Sequence, residues 1–204
     1  RLLSPSDLTS AGWCFRSDRP GDGAAVLDGQ IVETATITAV LMRLPAIHPE
    51  ELLSIRPEDR AYVATESTAF LLGWLAHLRC PVVNAPKPGC LLGPLWRTEG
   101  WLARAARLGL PTAEVCRNVP VRPASTAGPL TDGQVTVVGG STFGAASERC
   151  HRLARTLVDG AFAQVADVLF SGEQIAAVSL LPSLAAPDRA DALYELMVAR
   201  RGES

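Results

Sequence analysis

The chain has 204 residues, 48% of them apolar, and a formal net charge of −2. That is one larger domain or two small ones, with enough apolar residues to bury a core. There is no run of eighteen apolar residues to span a membrane, no secretory signal pattern in a sequence that begins at Arg1, and no basic footprint for nucleic acid. Lys87 is the only lysine among 19 basic residues, a skew that fits a high-GC bacterial coding bias. Five cysteines (Cys14, Cys80, Cys90, Cys116, Cys150) are odd in number and widely spaced, with no C-x-x-C. They predict reduced, mostly buried thiols in a cytoplasmic protein, without disulfide or zinc.

In chain order, Trp13-Cys14-Phe15 predicts a short strand. Ala24 to Val32 predicts a hairpin turning on Asp28-Gly29. Ile37 to Leu44 predicts a strand that Pro45 ends. His48 to Arg60 is a polar connection. A helix then runs from Asp59 to about Leu78, with Val63, Phe70, Trp74 and Leu78 as its inner stripe and Tyr62, Ala69 and Leu75 widening it. Glu66 falls on that stripe, where it is either an edge carboxylate or a buried one paired with Arg43.

The stretch from Cys80 to Cys116 reads strand, Pro/Gly-rich loop, helix, strand. Pro81-Val82-Val83 runs into Asn84, and Ala85 to Pro94 can continue neither strand nor helix. A helix from Thr98 turns Trp101, Leu102, Ala105 and Leu108 inward and stops at Gly109. Thr112 to Cys116 is the next strand. Polar loops at the carboxyl ends of strands are where α/β proteins place ligands. Lys87 in this loop is either a solvated lysine or part of a ligand site. Asn84 is either a site residue or a strand end bonded to its own backbone.

Val119 to Gly133 is a linker without periodicity. Gln134 to Val138 and Thr142 to Ala146 form a hairpin around Gly139-Gly140, a turn rather than a phosphate loop. Arg149 to Val158 is a helix with Leu153 and Leu157 inside. Phe162 to Phe170 and Ile175 to Leu181 form a second hairpin. A last helix from Asp188 to Arg200 has Ala190, Leu193, Tyr194 and Met197 as its inner face. There is no Walker A, G-x-S-x-G or H-E-x-x-H motif.

Several of these landmarks resemble ATP-grasp ligases, in particular the branch that modifies peptides. In the first half they are Met42-Arg43-Leu44-Pro45, then Glu66 with Phe70, then Asn84-Ala85-Pro86 and the run LARAARLGLPTAEVC. In the second half they are Val135-Thr136-Val137-Val138-Gly139, Phe143-Gly144-Ala145-Ala146, Ala166-Asp167-Val168 and Ser179-Leu180-Leu181-Pro182. The resemblance implies an α/β fold in two parts. Residues 1–86 would be a pre-ATP-grasp-like open sheet with helices, and residues 87–204 a reduced α+β ATP-grasp-like domain.

The same resemblance exposes departures. ATP-grasp chemistry needs lysines on the triphosphate, oxygen ligands for magnesium and a flap that excludes water. Only eighteen residues, none of them lysine, separate Cys116 from Val135, where the family carries its lysine strands and flap. Ser179 and Leu181 align with the metal-binding Glu and Asn. Asp167 remains as a carboxylate, or is a strand-edge polar residue or one paired with a nearby arginine.

The expectation is therefore a truncated, non-catalytic accessory subunit of a peptide- or natural-product-modifying system. It would have no cofactor or metal and a cleft around Arg43, Glu66, Asn84, Lys87 and Asp167. Its partner would be a second copy, another protein, a peptide or an active ligase, with no nucleic acid and no membrane. Two enzyme readings stand beside it: a minimal or partner-completed ATP-dependent carboxylate–amine ligase, and unrelated chemistry at Cys80 or Cys90, with His77 as the nearest base.

Overall fold

The computed structural model describes residues 1–19, 21–87, 90–94, 96–115 and 131–199. The chain divides into two units, one comprising Arg1–Gly93 with Met197–Ser204 and the other Pro94–Leu196. Together they give a mixed α/β fold with three small sheets and four helices among the described residues.

In the first unit Asp28 and Gly29 both have positive φ, 54° and 69°. They turn β2 (Gly23–Leu27) directly into β3 (Gln30–Glu33), with Leu27 opposite Gln30. This is the two-residue turn whose twist matches a hairpin. β1 (Cys14–Phe15) adds antiparallel to β2 and completes a three-stranded sheet. The buried carboxylate of Asp7 ties the preceding segment to the turn. It accepts the Ser4 amide (2.8 Å), the Ser4 hydroxyl (2.7 Å) and the Gly29 amide (2.9 Å). Burial pushes its pKa up, but the bonds from Ser4, Gly29 and Asp28 outweigh that and hold it below the ordinary value.

β4 (Val40–Leu41) and β5 (Val82–Val83) form a parallel pair, joined by α1 (Arg60–His77). The strand expected over Ile37 to Leu44 is cut to two residues. Its partner is short because Pro81 offers no amide and Asn84, at φ 54°, leaves the extended region. The connection expected to be polar carries a 3-10 turn, Pro49–Glu51, and buries Leu52 completely.

The stripe on α1 matches the expected one at Trp74 and Leu75, while Val63, Phe70 and Leu78 are only half-buried. Ala64, Leu71, Trp74 and Leu75 are buried, whereas Tyr62 and Ala69 face solvent. Apolar residues occur on most sides of this helix, so the sequence alone does not fix its rotational phase. Aromatic neighbours fix it instead. Trp13 meets Phe70 and Trp74 edge-on at 5.2 and 5.4 Å, and Phe15 meets Phe70 and His77 at 6.1 and 5.1 Å. Each such pair contributes roughly 0.5–1.5 kcal/mol beyond the area it buries.

The second unit opens with α2 (Thr98–Arg107), which buries Trp101, Leu102 and Ala105. Gly109, at φ 71°, closes it: its amide donates to Ala106 and that of Leu110 to Ala105. The strand expected over Thr112 to Cys116 reduces, among the described residues, to one parallel bridge from Thr112 to Ile175. Cys116 and most of the expected linker lie outside the described residues.

A four-stranded antiparallel sheet follows, in the order β7-β6-β8-β9. Its strands are β6 (Gly133–Val138), β7 (Ser141–Phe143), β8 (Val165–Ser171) and β9 (Gln174–Ser179). α3 (Glu148–Gly160) packs on β6, β7 and β8, and α2 packs on β9. α3 presents Cys150, Ala154, Leu157 and Val158 inward; Leu153, expected inside, is only half-buried.

Arg104 of α2 donates to the Gly160 carbonyl (Nε, 2.9 Å), placing a cation at the negative end of α3. Phe162 was expected in a strand. It sits instead at φ 56°, 77% exposed, where the amides of Phe162 and Ala163 return to Asp159 and Val158 to end the helix. α4 (Pro187–Ala199) buries none of its residues fully, and Tyr194 of its expected inner face is 70% exposed. No helix among the described residues is long and apolar enough to cross a membrane.

Candidate functional site

The parallel register in the first unit sets Val40 beside Val82 and Leu41 beside Val83. It therefore brings Arg43 and Asn84 to the same carboxyl-terminal end of the pair, where open α/β sheets bind ligands. Asn84 is 1% exposed and left-handed, a conformation that asparagine tolerates better than most residues.

The chain then folds back over this end. The amides and carbonyls of Lys87 and Cys90 pair reciprocally (3.0 and 2.9 Å), and the Leu91 amide donates to the Pro45 carbonyl (3.4 Å). Pro45 follows β4, so the loop after β5 closes on the loop after β4. Lys87 is exposed at this loop, and Arg43 is exposed beside the strand end.

The half-buried Arg43–Glu66 pair is not formed. Both residues are exposed, and Glu66 lies on the solvent side of α1, because the true stripe is rotated away from the expected one. The cysteines were expected to be mostly buried, but among the described ones only Cys150 is: Cys14 is exposed and Cys80 and Cys90 are half-buried.

Asp167 belongs to the second unit, on β8, a central strand rather than an edge. It stands opposite Thr136 of β6 and Ser179 of β9, so the three side chains form one polar row across the sheet. The Thr136 hydroxyl donates to Asp167 Oδ1 at 2.6 Å. Thr136 is 0% and Asp167 8% exposed, so this bond is shielded from water. A charge-assisted bond of this kind contributes about 1.5–3 kcal/mol. The expected arginine partner is replaced by this hydroxyl.

Thr136 is the site residue that sequence reasoning missed as a participant. The signal was available in the two-residue period of β6 and β8, but the pairing register was not. Ser179 Oγ accepts the Leu181 amide at 3.2 Å, and Leu181 is 41% exposed. Among the described residues no group of three or more His, Cys, Asp or Glu side chains is placed to hold a metal ion.

A parallel β–α–β crossover in one unit and a helix-backed antiparallel sheet in the other define a mixed α/β fold that two solved macrocyclases share. One is macrocyclase MdnC from Microcystis aeruginosa MRC, crystallised with its precursor peptide MdnA. It matches with a TM-score of 0.62 and 11% identity over 95% of this chain and 89% of that one. The other is macrocyclase MdnB from the same source, with a TM-score of 0.54 and 15% identity over 86% of this chain and 77% of that one. At these identities the likeness is one of fold. No protein-family model matches the sequence, and no curated protein does.

Proposed function

We propose that this chain is a non-catalytic, ATP-grasp-like accessory or binding subunit of a peptide- or natural-product-modifying system. The observation that carries the reading is Ser179 standing opposite Asp167. The sequence resemblance asks for a carboxylate there, and a neutral hydroxyl cannot share a divalent cation with Asp167 as a second carboxylate would. Leu181, where the resemblance asks for an Asn, offers no ligand atom in its side chain. The single lysine, Lys87, lies in a loop of the first unit, whereas the resemblance asks for lysines on strands ahead of β6. The fold match spans most of the neighbours' chains, so the reading rests on these residues and not on length.

The likeness to a macrocyclase solved with a precursor peptide supports a peptide or protein partner. Exposed Phe162 and Tyr194, at 77% and 70%, give the second unit apolar contact surface for such a partner or a second copy. The thiols of Cys14, Cys90 and Cys150 suit a reducing cytoplasm.

One observation favours a partner-completed ligase instead. The row Thr136, Asp167 and Ser179 keeps a buried carboxylate where the family has one. Calorimetric titration with ATP and magnesium separates the two readings. The accessory subunit shows no magnesium-dependent binding. A Kd below about 100 μM, roughly −5.5 kcal/mol, that requires magnesium and disappears in a folded Asp167→Asn variant overturns it in favour of the ligase.

A further inference from the structure

The end of α3 carries an aromatic residue at a double cost. Phe162 sits at φ 56° and is 77% exposed. A left-handed position suits glycine or asparagine, and an aromatic residue there is strained. No ring contact among the described residues involves it. The ring therefore returns little to the fold, and strain of this kind collects where a residue serves binding.

Its surroundings are basic. Arg104 of α2 donates through Nε and Nη2 to the Gly160 carbonyl. The Leu108 side chain comes so close to Gly160 that a Cβ there would meet Leu108 Cδ1 at 2.6 Å. These contacts seat the last turn of α2 against the end of α3, just ahead of Phe162. Arg107, one turn beyond Arg104, is exposed and takes part in no ion pair among the described residues. On α3, Arg155 reaches Asp159 only at 3.8 Å, and both side chains are exposed. Arg104, Arg107 and Arg155 thus stand with one carboxylate, Asp159, in a chain whose net charge is −2.

That pattern selects the occupant. A second copy docked about a two-fold axis would set the same arginines against each other. A nucleic acid needs a longer track of cations, and the chain as a whole repels it. An acidic segment with apolar residues among its carboxylates meets complementary groups in Arg107, Arg155 and the Phe162 ring.

We propose that the joined ends of α2 and α3 dock an acidic amphipathic segment of a partner protein, with Phe162 as the apolar anchor and Arg107 and Arg155 as the flanking charges. The protein as partner rests on the functional reading above; the surface rests on Phe162 and the arginines. The test is an amide-shift titration of the full chain with the blocked peptide acetyl-Glu-Glu-Leu-Leu-Glu-Glu-Leu-amide, its counterpart with lysine at every glutamate, and oligothymidylate. The acidic peptide is expected to shift the Arg107, Leu108, Phe162 and Ala163 amides. It should bind at least about tenfold more tightly than the basic peptide or the oligonucleotide. Arg107→Glu is expected to weaken it. Phe162→Asn is expected to abolish it with Tm unchanged or raised, because asparagine accepts the left-handed backbone.

Equal binding of the two peptides, tighter binding of oligothymidylate, shifts confined to other residues, or no shifts at millimolar peptide would each overturn the proposal. So would a lower Tm in Phe162→Asn, which would make the ring part of the fold. A chain that binds neither the acidic peptide nor Mg-ATP loses this surface but keeps the accessory reading. One that binds both keeps the surface and loses that reading.

Discussion

Thr136→Val tests the buried polar row most directly. Valine nearly matches threonine in volume, so the substitution opens no cavity and removes only the hydroxyl. What is lost is the 2.6 Å bond to Asp167, in a place where neither residue is more than 8% exposed. Water cannot replace the donor at such a site, so the carboxylate keeps its desolvation cost without its partner. A charge-assisted bond lost this way costs about 1.5–3 kcal/mol. For a chain of this size each kcal/mol moves Tm by roughly 2–4 °C, giving a fall of about 3–12 °C. Urea unfolding at pH 7 should show a lower midpoint with an unchanged slope. The double variant Thr136→Val/Asp167→Asn should be less destabilised than the sum of the two single changes. A Thr136→Val midpoint equal to that of the unaltered chain would refute the buried bond.

Asp7 has a depressed folded pKa, so its contribution is complete above the unfolded value of about 3.9 and is lost as pH falls through the folded one. Asp7→Asn should therefore cost about 1–3 kcal/mol at pH 7, with the difference shrinking as unfolding is measured at pH values progressively below 4. Gly144→Ala should cost more than about 1 kcal/mol, since the φ of 137° is strained for alanine and its Cβ meets the Gln134 carbonyl; an unchanged melting curve would contradict that geometry. Thiol labelling of the native chain should modify exposed Cys14 before buried Cys150, and early loss of the Cys150 thiol would show that α3 does not pack on the sheet.

Local chemistry was legible where one or two residues decide the outcome. Asp28-Gly29 specified its hairpin, and Gly109 specified the end of α2, because only a few residue types accept those backbone angles. Phe162 was misplaced into the following strand for the converse reason: an aromatic residue occupies a left-handed position normally filled by glycine. The phase of α1 was not legible, since apolar residues surround it and the deciding contacts come from Trp13 and Phe15, far away in sequence. The misplaced Arg43–Glu66 pair followed directly from that phase. Asp167 was readable as a candidate, but its partner was not. Opposition of Thr136 and Asp167 depends on register across 31 residues, and a shift of one residue would point the two side chains to opposite faces.

The parallel pair of β4 and β5 also has a consequence for the order in which the first unit forms. Val40 and Val82 meet only after a loop of about forty residues closes, and the ladder that rewards the closure is two residues long on each strand. So little hydrogen bonding cannot drive the closure by itself. α1 must already be docked by Trp13 and Phe15 before the strands can stay together. The β1–β3 meander, whose contacts are local, would then form early. The strand end that carries Arg43 and Asn84 would be among the last places to become structured and among the first to open.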